Sequence, residues 1–122
     1  MKTTGQEITV NGLRFYAYHG VDPQERIVGS WFTVNLKFGL DAGKAIMSDE
    51  LSGTASYADA VVIVRREMAI PSDLLEHVAG RIAKALLAEM PPIQTVTVSV
   101  CKENPPVCAV CESAAFTLTV QR

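Results

Sequence analysis

The sequence predicts an α+β fold: an antiparallel four-stranded sheet with two helices on one face. Three observations predict it. Apolar residues recur at the two-residue period of strands towards both ends of the chain, at helical spacing in the middle third, and proline or glycine marks the changes between them. The order read from these signals is ββααββ.

The first strand rests on Ile8 and Val10, then Leu13, Phe15 and Ala17, within Glu7 to Tyr18, with Gly12 marking a bulge. After a loop from His19 to Gly29, the run Trp31 to Phe38 alternates again and puts Phe32, Val34, Leu36 and Phe38 on one face. The two strands read as a long hairpin. Ser56 and Asp59 resemble a capping box, with Asp in place of the preferred Glu or Gln, and open a helix from about Tyr57 to Ala69. Its stripe is Tyr57, Val61, Val64 and Met68. Beyond Pro71 and Ser72, a second amphipathic helix carries Leu75, Val78, Ala79, Ile82 and Leu86 opposite Glu76, Arg81, Lys84 and Glu89. It ends near Pro91-Pro92. Two closing strands follow from Thr95 to Val100 and from Ala115 to Val120.

A chain of 122 residues that is 48% apolar can bury one real core, and neither a linker nor a repeat divides it, so residues 1–122 are expected to form one domain. The formal charge of -2 and the lack of any basic run disfavour nucleic acid and membrane surfaces as partners. Met1 to Gln6 is polar, unlike a signal peptide, and no stretch approaches the roughly 20 apolar residues of a spanning helix. A cytoplasmic location is expected. Cys101, Cys108 and Cys111 are odd in number, which favours reduced thiols over a disulfide framework. Two helices cover one face of the sheet only. Because strand residues of both parities include apolar ones, the other face is expected to be buried by another subunit.

Four ordered patterns carry chemistry. Gly12-Leu-Arg-Phe-Tyr-Ala-Tyr-His19-Gly20-Val21 is followed by Glu25, and Asp49 to Tyr57 reads Asp-Glu-Leu-Ser-Gly-Thr-Ala-Ser-Tyr. Leu74-Leu75-Glu76-His77-Val78-Ala79 is the third, and Val100-Cys101-Lys102-Glu103-Asn104-Pro105-Pro106 the fourth. Together they make the chain resemble the dihydroneopterin aldolases over nearly its whole length. The resemblance implies the tunnelling fold, in which such subunits close their sheets into a β-barrel and assemble as tetramers or octamers. It also implies a pterin substrate, 7,8-dihydroneopterin, cleaved to 6-hydroxymethyl-7,8-dihydropterin and glycolaldehyde on the route to folate. Side-chain epimerisation to dihydromonapterin is implied as a companion activity.

Such a reaction asks little of the protein. Once the 2'-hydroxyl loses its proton, the neighbouring carbon–carbon bond can break into the N5=C6 imine of the dihydropterin ring, so the substrate supplies its own electron sink. No cofactor, metal or lysine Schiff base is then expected. Positioning and proton shuttling remain.

The resemblance assigns these tasks residue by residue. Glu76 corresponds to the pterin anchor, its carboxylate accepting the parallel donors of the 2-amino group and N3–H, with Leu75 supplying backbone polarity or packing beside the ring. A lone glutamate on a polar helix face would simply be solvated. Lys102 corresponds to the catalytic lysine, although an ordinary lysine, with pKa about 10.4, is a poor base and would need burial or a nearby cation. Its alternative is a strand-end surface lysine, and Glu103 would oppose any lowering if it faced the same pocket. Tyr57 corresponds to a proton-relaying tyrosine, against a role in packing with Val61. Glu25 would contact the substrate hydroxyls or tune the lysine, against an exposed loop carboxylate. In the resembling enzymes the site is shared, so Glu76 and Lys102 are expected from one subunit and Tyr57 from the next.

His19, His77 and Cys108-Ala-Val-Cys111 invite a zinc reading, but no second C-x-x-C or H-x₃₋₅-H accompanies them, and no metal is expected. The chain departs from the family pattern at Val107 to Glu112, where a proline-rich loop is usual, and at Gly29-Ser30-Trp31-Phe32. Two rivals are weighed. An epimerase acting on dihydroneopterin triphosphate would want several basic groups, and Val21 to Gly29 offers only Arg26. A non-catalytic pterin-binding oligomer would have no need to keep Lys102, Tyr57 and Glu25 together.

Overall fold

The computed structural model describes residues 1–122. One sheet holds β1 (Glu7–Ala17), β2 (Ser30–Leu40), β3 (Ile93–Glu103) and β4 (Ser113–Gln121), in the order β1-β2-β3-β4 with every pair antiparallel. Helices α3 (Tyr57–Met68) and α4 (Leu75–Glu89) pack against each other, α3 beside β1 and α4 over β3 and β4. The predicted α+β core is therefore present. Two short helices are additional: α1 (Pro23–Val28) within the expected loop, and α2 (Gly43–Ser48), followed by a 3₁₀ turn at Leu51–Gly53. The expected ββααββ order omitted them because neither buries a residue, so neither has an apolar stripe to read. No helix is long and apolar enough to cross a membrane.

Strand alternation dictates the core. Phe32, Val34, Leu36 and Phe38 face Lys102, Val100, Val98 and Val96 across β2 and β3, and the seven apolar members of these rows are fully or almost fully buried. Val78, Ile82 and Leu86 of α4 and Val64 of α3 close over them, giving an apolar seam whose burial is the main favourable contribution to folding. On β1, Val10 and Leu13 are three residues apart and would point to opposite faces in a regular strand. A bulge at Gly12, with φ of 73° and its N–H bonded to Asn35 Oδ1 at 2.7 Å, restores Leu13 and Phe15 to the core side.

Two expectations are corrected. Ser56 does occupy the N-cap of α3, but its side chain makes no capping bond, and the buried stripe is Ala60, Ile63, Val64 and Met68, leaving Tyr57 64% exposed. The helix is thus rotated away from the stripe that starts at Tyr57. The second correction concerns the uncovered face of the sheet, which is largely polar rather than apolar. Thr33, Asn35 and Lys37 lie there beside Thr95, Thr97 and Ser99, and Thr97 Oγ1 meets Thr119 Oγ1 at 2.9 Å. The sheet's unpaired sides are its two edges. β1 and β4 are both unpaired on one side, and Ile8, Val10, Leu13 and Phe15 on one edge and Phe116, Leu118 and Val120 on the other are only partly buried.

Candidate active site

Lys102 is the fourth member of the row Val96, Val98, Val100, Lys102, so the two-residue period carries it onto the core face. It is 8% exposed, which excludes the surface alternative. Its Nζ donates to the carboxylate of Glu25 and to the carbonyl of His19 at 3.3 Å, and it lies above the Phe32 ring. Glu103, one residue on, points to the opposite face and pairs with Arg14 at 2.9 Å. The lysine's acidic neighbour is therefore Glu25 and not Glu103.

Local chemistry delivers Glu25. Asp22-Pro23-Gln24-Glu25 forms a capping box: Asp22 accepts from the Gln24 N–H at 2.9 Å, Glu25 Oε2 accepts from the Asp22 N–H at 3.1 Å, and Pro23 sits in the first turn. Gly20 makes room for it, because a Cβ there would lie 2.5 Å from the Cβ of Glu25. The hydrogen bond from Lys102 holds the Glu25 carboxyl below the usual carboxylate range, against the opposing effect of burial.

A cavity of about 190 Å³ brings together Glu25, Lys102, Leu75 and Glu76 with His19 and Gly20. Leu75 and Glu76 begin α4, where Leu74 at the N-cap supplies no side-chain cap, so the leading N–H groups of the helix stay available as donors beside a carboxylate acceptor. A wider hollow of about 610 Å³ adjoins it, sharing Glu25 and Lys102 and reaching Asp22, Ser30 and Asn104. Arg26, the one basic side chain of the expected loop, is engaged by Asp73. Tyr57 is the predicted residue not gathered here: it stands exposed at the start of α3 and lines neither hollow.

The two histidines that invite a metal reading both meet Ser72. His19 Nδ1 accepts the Ser72 N–H at 3.1 Å, and His77 Nδ1 lies 2.8 Å from Ser72 Oγ. Burial first, then the positive charges of Arg81, Lys102 and Arg26, push the His19 imidazole down to about 4, so it is neutral across the physiological range. Sequence reasoning missed Ser72 and the capping Asp22. The Asp-Pro-x-Glu spacing could have revealed the latter. The departing segment Val107 to Glu112 forms the turn between β3 and β4, with Cys108 exposed and Cys111 partly so. Chemically, the cavity offers a buried lysine paired with a partly buried carboxylate for proton transfer. At its other end, a carboxylate and free backbone donors suit a planar ring that carries both donors and acceptors.

A sequence family described as "FolB: Dihydroneopterin aldolase" matches residues 8–119. The chain is 37% identical over 120 residues to a dihydroneopterin aldolase of Streptococcus pyogenes serotype M1, spanning 95% of this chain and 98% of that protein. It is 36% identical over 114 residues to the dihydroneopterin aldolase of Bacillus subtilis, spanning 93% and 95%. Among solved structures, E. coli dihydroneopterin aldolase in complex with neopterin superposes with a TM-score of 0.85 at 22% identity, covering 94% of this chain and 98% of that one. A Burkholderia thailandensis dihydroneopterin aldolase bound to guanine gives 0.78 at 16% identity, over 97% and 92%. At such identities these two structures speak for the fold.

Proposed function

The chain belongs to the dihydroneopterin aldolase family, lyases of folate biosynthesis, and from that premise we propose how its own residues divide the reaction. The observation that carries the proposal is Lys102, buried on the core face of β3, paired with Glu25, and set in one cavity with Glu76 and Leu75. Glu76 accepts the 2-amino and N3–H donors of the pterin in bidentate fashion, and the backbone beside Leu75 completes the ring's edge. The trihydroxypropyl side chain then points towards Lys102 and Glu25. These two take the proton from the 2'-hydroxyl, the carbon–carbon bond breaks, and its electron pair enters the N5=C6 imine to give an enamine. Glycolaldehyde leaves, and protonation of the enamine yields 6-hydroxymethyl-7,8-dihydropterin. Re-addition of the enamine carbon to the opposite face of the glycolaldehyde carbonyl re-forms the bond with C2' inverted and gives the epimer, so we propose epimerisation as a companion activity.

Tyr57 belongs to this reading through a neighbouring subunit. The partly covered apolar rows at the edges of β1 and β4 favour pairing of one subunit's β1 with the next one's β4, closing a barrel of tetramers or octamers with the polar sheet face inside. Residues 1–122 act in it as one domain. A phosphorylated side chain is disfavoured, since Asp22 and Glu25 line the wider hollow and Arg26 is already neutralised by Asp73. The deciding experiment incubates the purified protein with dihydroneopterin and with its triphosphate and follows glycolaldehyde. Release from the first alone is expected. Release from neither would overturn the aldolase reading.

A further inference from the structure

His19 makes contacts that packing does not require. It is 1% exposed, with its ring edge-on to Phe32 at 5.1 Å between centroids, and its Nε2 makes no hydrogen bond of normal geometry, the Met68 backbone offering it only a loose approach. A buried N–H left unmatched destabilises a fold, so leucine or phenylalanine would fill this place better if packing were all that mattered. The other nitrogen is fully used. Nδ1 accepts the Ser72 N–H at 3.1 Å, and the next residue, Gly20, donates its own N–H to the Ser72 carbonyl at 3.0 Å. Both backbone groups of Ser72 are thus taken by two consecutive residues, a two-point clamp between segments 53 positions apart for the imidazole bond.

The clamp lies between the two ends of the site. On one side, the His19 carbonyl accepts from Lys102 Nζ. On the other, Ser72 lies three residues before α4, which opens with Leu75 and Glu76. Ser72 is also held from behind: Arg81 donates to Ser72 Oγ at 3.0 Å, to the Ile70 carbonyl at 2.7 Å and to the Glu67 carbonyl at 2.9 Å. We propose that His19 is a positioning residue, whose Nδ1 acceptor fixes the distance between the lysine end and the glutamate end of the cavity. The proposal rests on the division of roles between Lys102 and Glu76 given above. Releasing the clamp leaves the ring's anchor intact but lets the side chain's reacting atoms drift from the lysine, which costs turnover more than binding.

Asparagine can place an acceptor where Nδ1 stands, whereas glutamine reaches to the Nε2 position. Steady-state kinetics on dihydroneopterin is measured for the unmodified protein, His19→Asn and His19→Gln, together with amide hydrogen exchange of the peptide containing Ser72. His19→Gln is expected to lower kcat by about ten- to a hundredfold with KM within about threefold, and to expose the Ser72 amide to exchange. His19→Asn should restore the slow exchange and most of kcat. Equal impairment of the two variants, or a protected Ser72 amide in His19→Gln, overturns the proposal, as does undiminished kcat once that amide is free. Should neither variant fold, ¹⁵N shifts of the His19 imidazole in the unmodified protein decide: a protonated Nδ1 overturns the clamp, and a bare Nδ1 with slow Ser72 exchange supports it. A protein without turnover but with Ser72 protected through Nδ1 would sink the aldolase reading and leave the clamp standing.

Discussion

Glu25 divides its carboxylate between two partners: Oε1 receives Lys102, and Oε2 receives the backbone N–H of Asp22 at the start of the helix that carries it. The two duties can be separated by substitution. Glu25→Gln keeps an acceptor for the capping box but loses the charge facing the lysine, so turnover should fall at least about tenfold while thermal stability stays close to the unmodified protein. Glu25→Ala removes both and should also cost about 1 kcal/mol of stability. Glycolaldehyde release and thermal melting check the pair. A fully active Glu25→Gln would remove the carboxylate from the proton-transfer step.

Lys102 and Glu76 occupy one cavity but are expected to fail differently. Lys102→Ala should abolish turnover and leave pterin binding largely intact. Glu76→Ala should weaken binding by roughly 2 to 4 kcal/mol, because a charge-assisted pair is lost and the ring's donors go unmatched. Calorimetry with a non-cleavable pterin separates the two, and equal loss of affinity in both variants would contradict the assignment.

Tyr57 lines neither hollow of its own chain, so the proposed site needs a second chain to supply it. Lys102→Ala and Tyr57→Phe proteins, unfolded, mixed equally and refolded together, should regain activity, with about a quarter of the sites pairing an intact lysine with an intact tyrosine. No gain in oligomers proven to be mixed would mean that each chain carries a complete site.

Acid should destabilise the fold through His19. Its imidazole titrates near 6.5 when unfolded but near 4 when folded, so between these values the unfolded chain binds more protons. The contribution is complete above about pH 6.5, shrinks as pH falls through that window, and is spent below about pH 4, amounting to at most about 3 kcal/mol. Glu25, held below its ordinary 4.5 mainly by Lys102, adds a further loss as its folded value is approached. Urea unfolding at pH 7, 5 and 4 and at fixed protein concentration tests this. His19→Asn should flatten the upper part of the slope, and an unchanged slope would point to other groups.

Much of this could be read beforehand where one period ruled one element. Phe32 to Phe38 and Val96 to Val100 alternate without interruption, and extending the second row by one step would have placed Lys102 inside rather than at the surface. The helices' existence was equally legible, but the facing of α3 was not: Tyr57 and Ile63 compete for the stripe, and only packing against β1 and α4 decides between them. The short helix α1 escaped because it buries no side chain, although its capping box was written in Asp22 and Glu25. The polar character of the uncovered face is hidden in the sequence because parity along β1 changes at Gly12, so odd and even positions there do not stay with one surface. No local pattern announces that His19 and His77 meet at Ser72, since that meeting depends on tertiary contact.

The kink at Gly12 also sets how this chain can vary in length. Removing one residue between Val10 and Leu13 would leave them two positions apart in a regular strand, so the bulge would vanish while Leu13 and Phe15 kept to the core side and the pairing with β2 kept its register. Removing two makes them neighbours and turns over everything beyond, sending Leu13 and Phe15 to the wet side and Arg14 and Tyr16 into the core. Viable relatives should therefore lack or keep the one bulge residue here, and a double-codon deletion should be far more damaging than a single one.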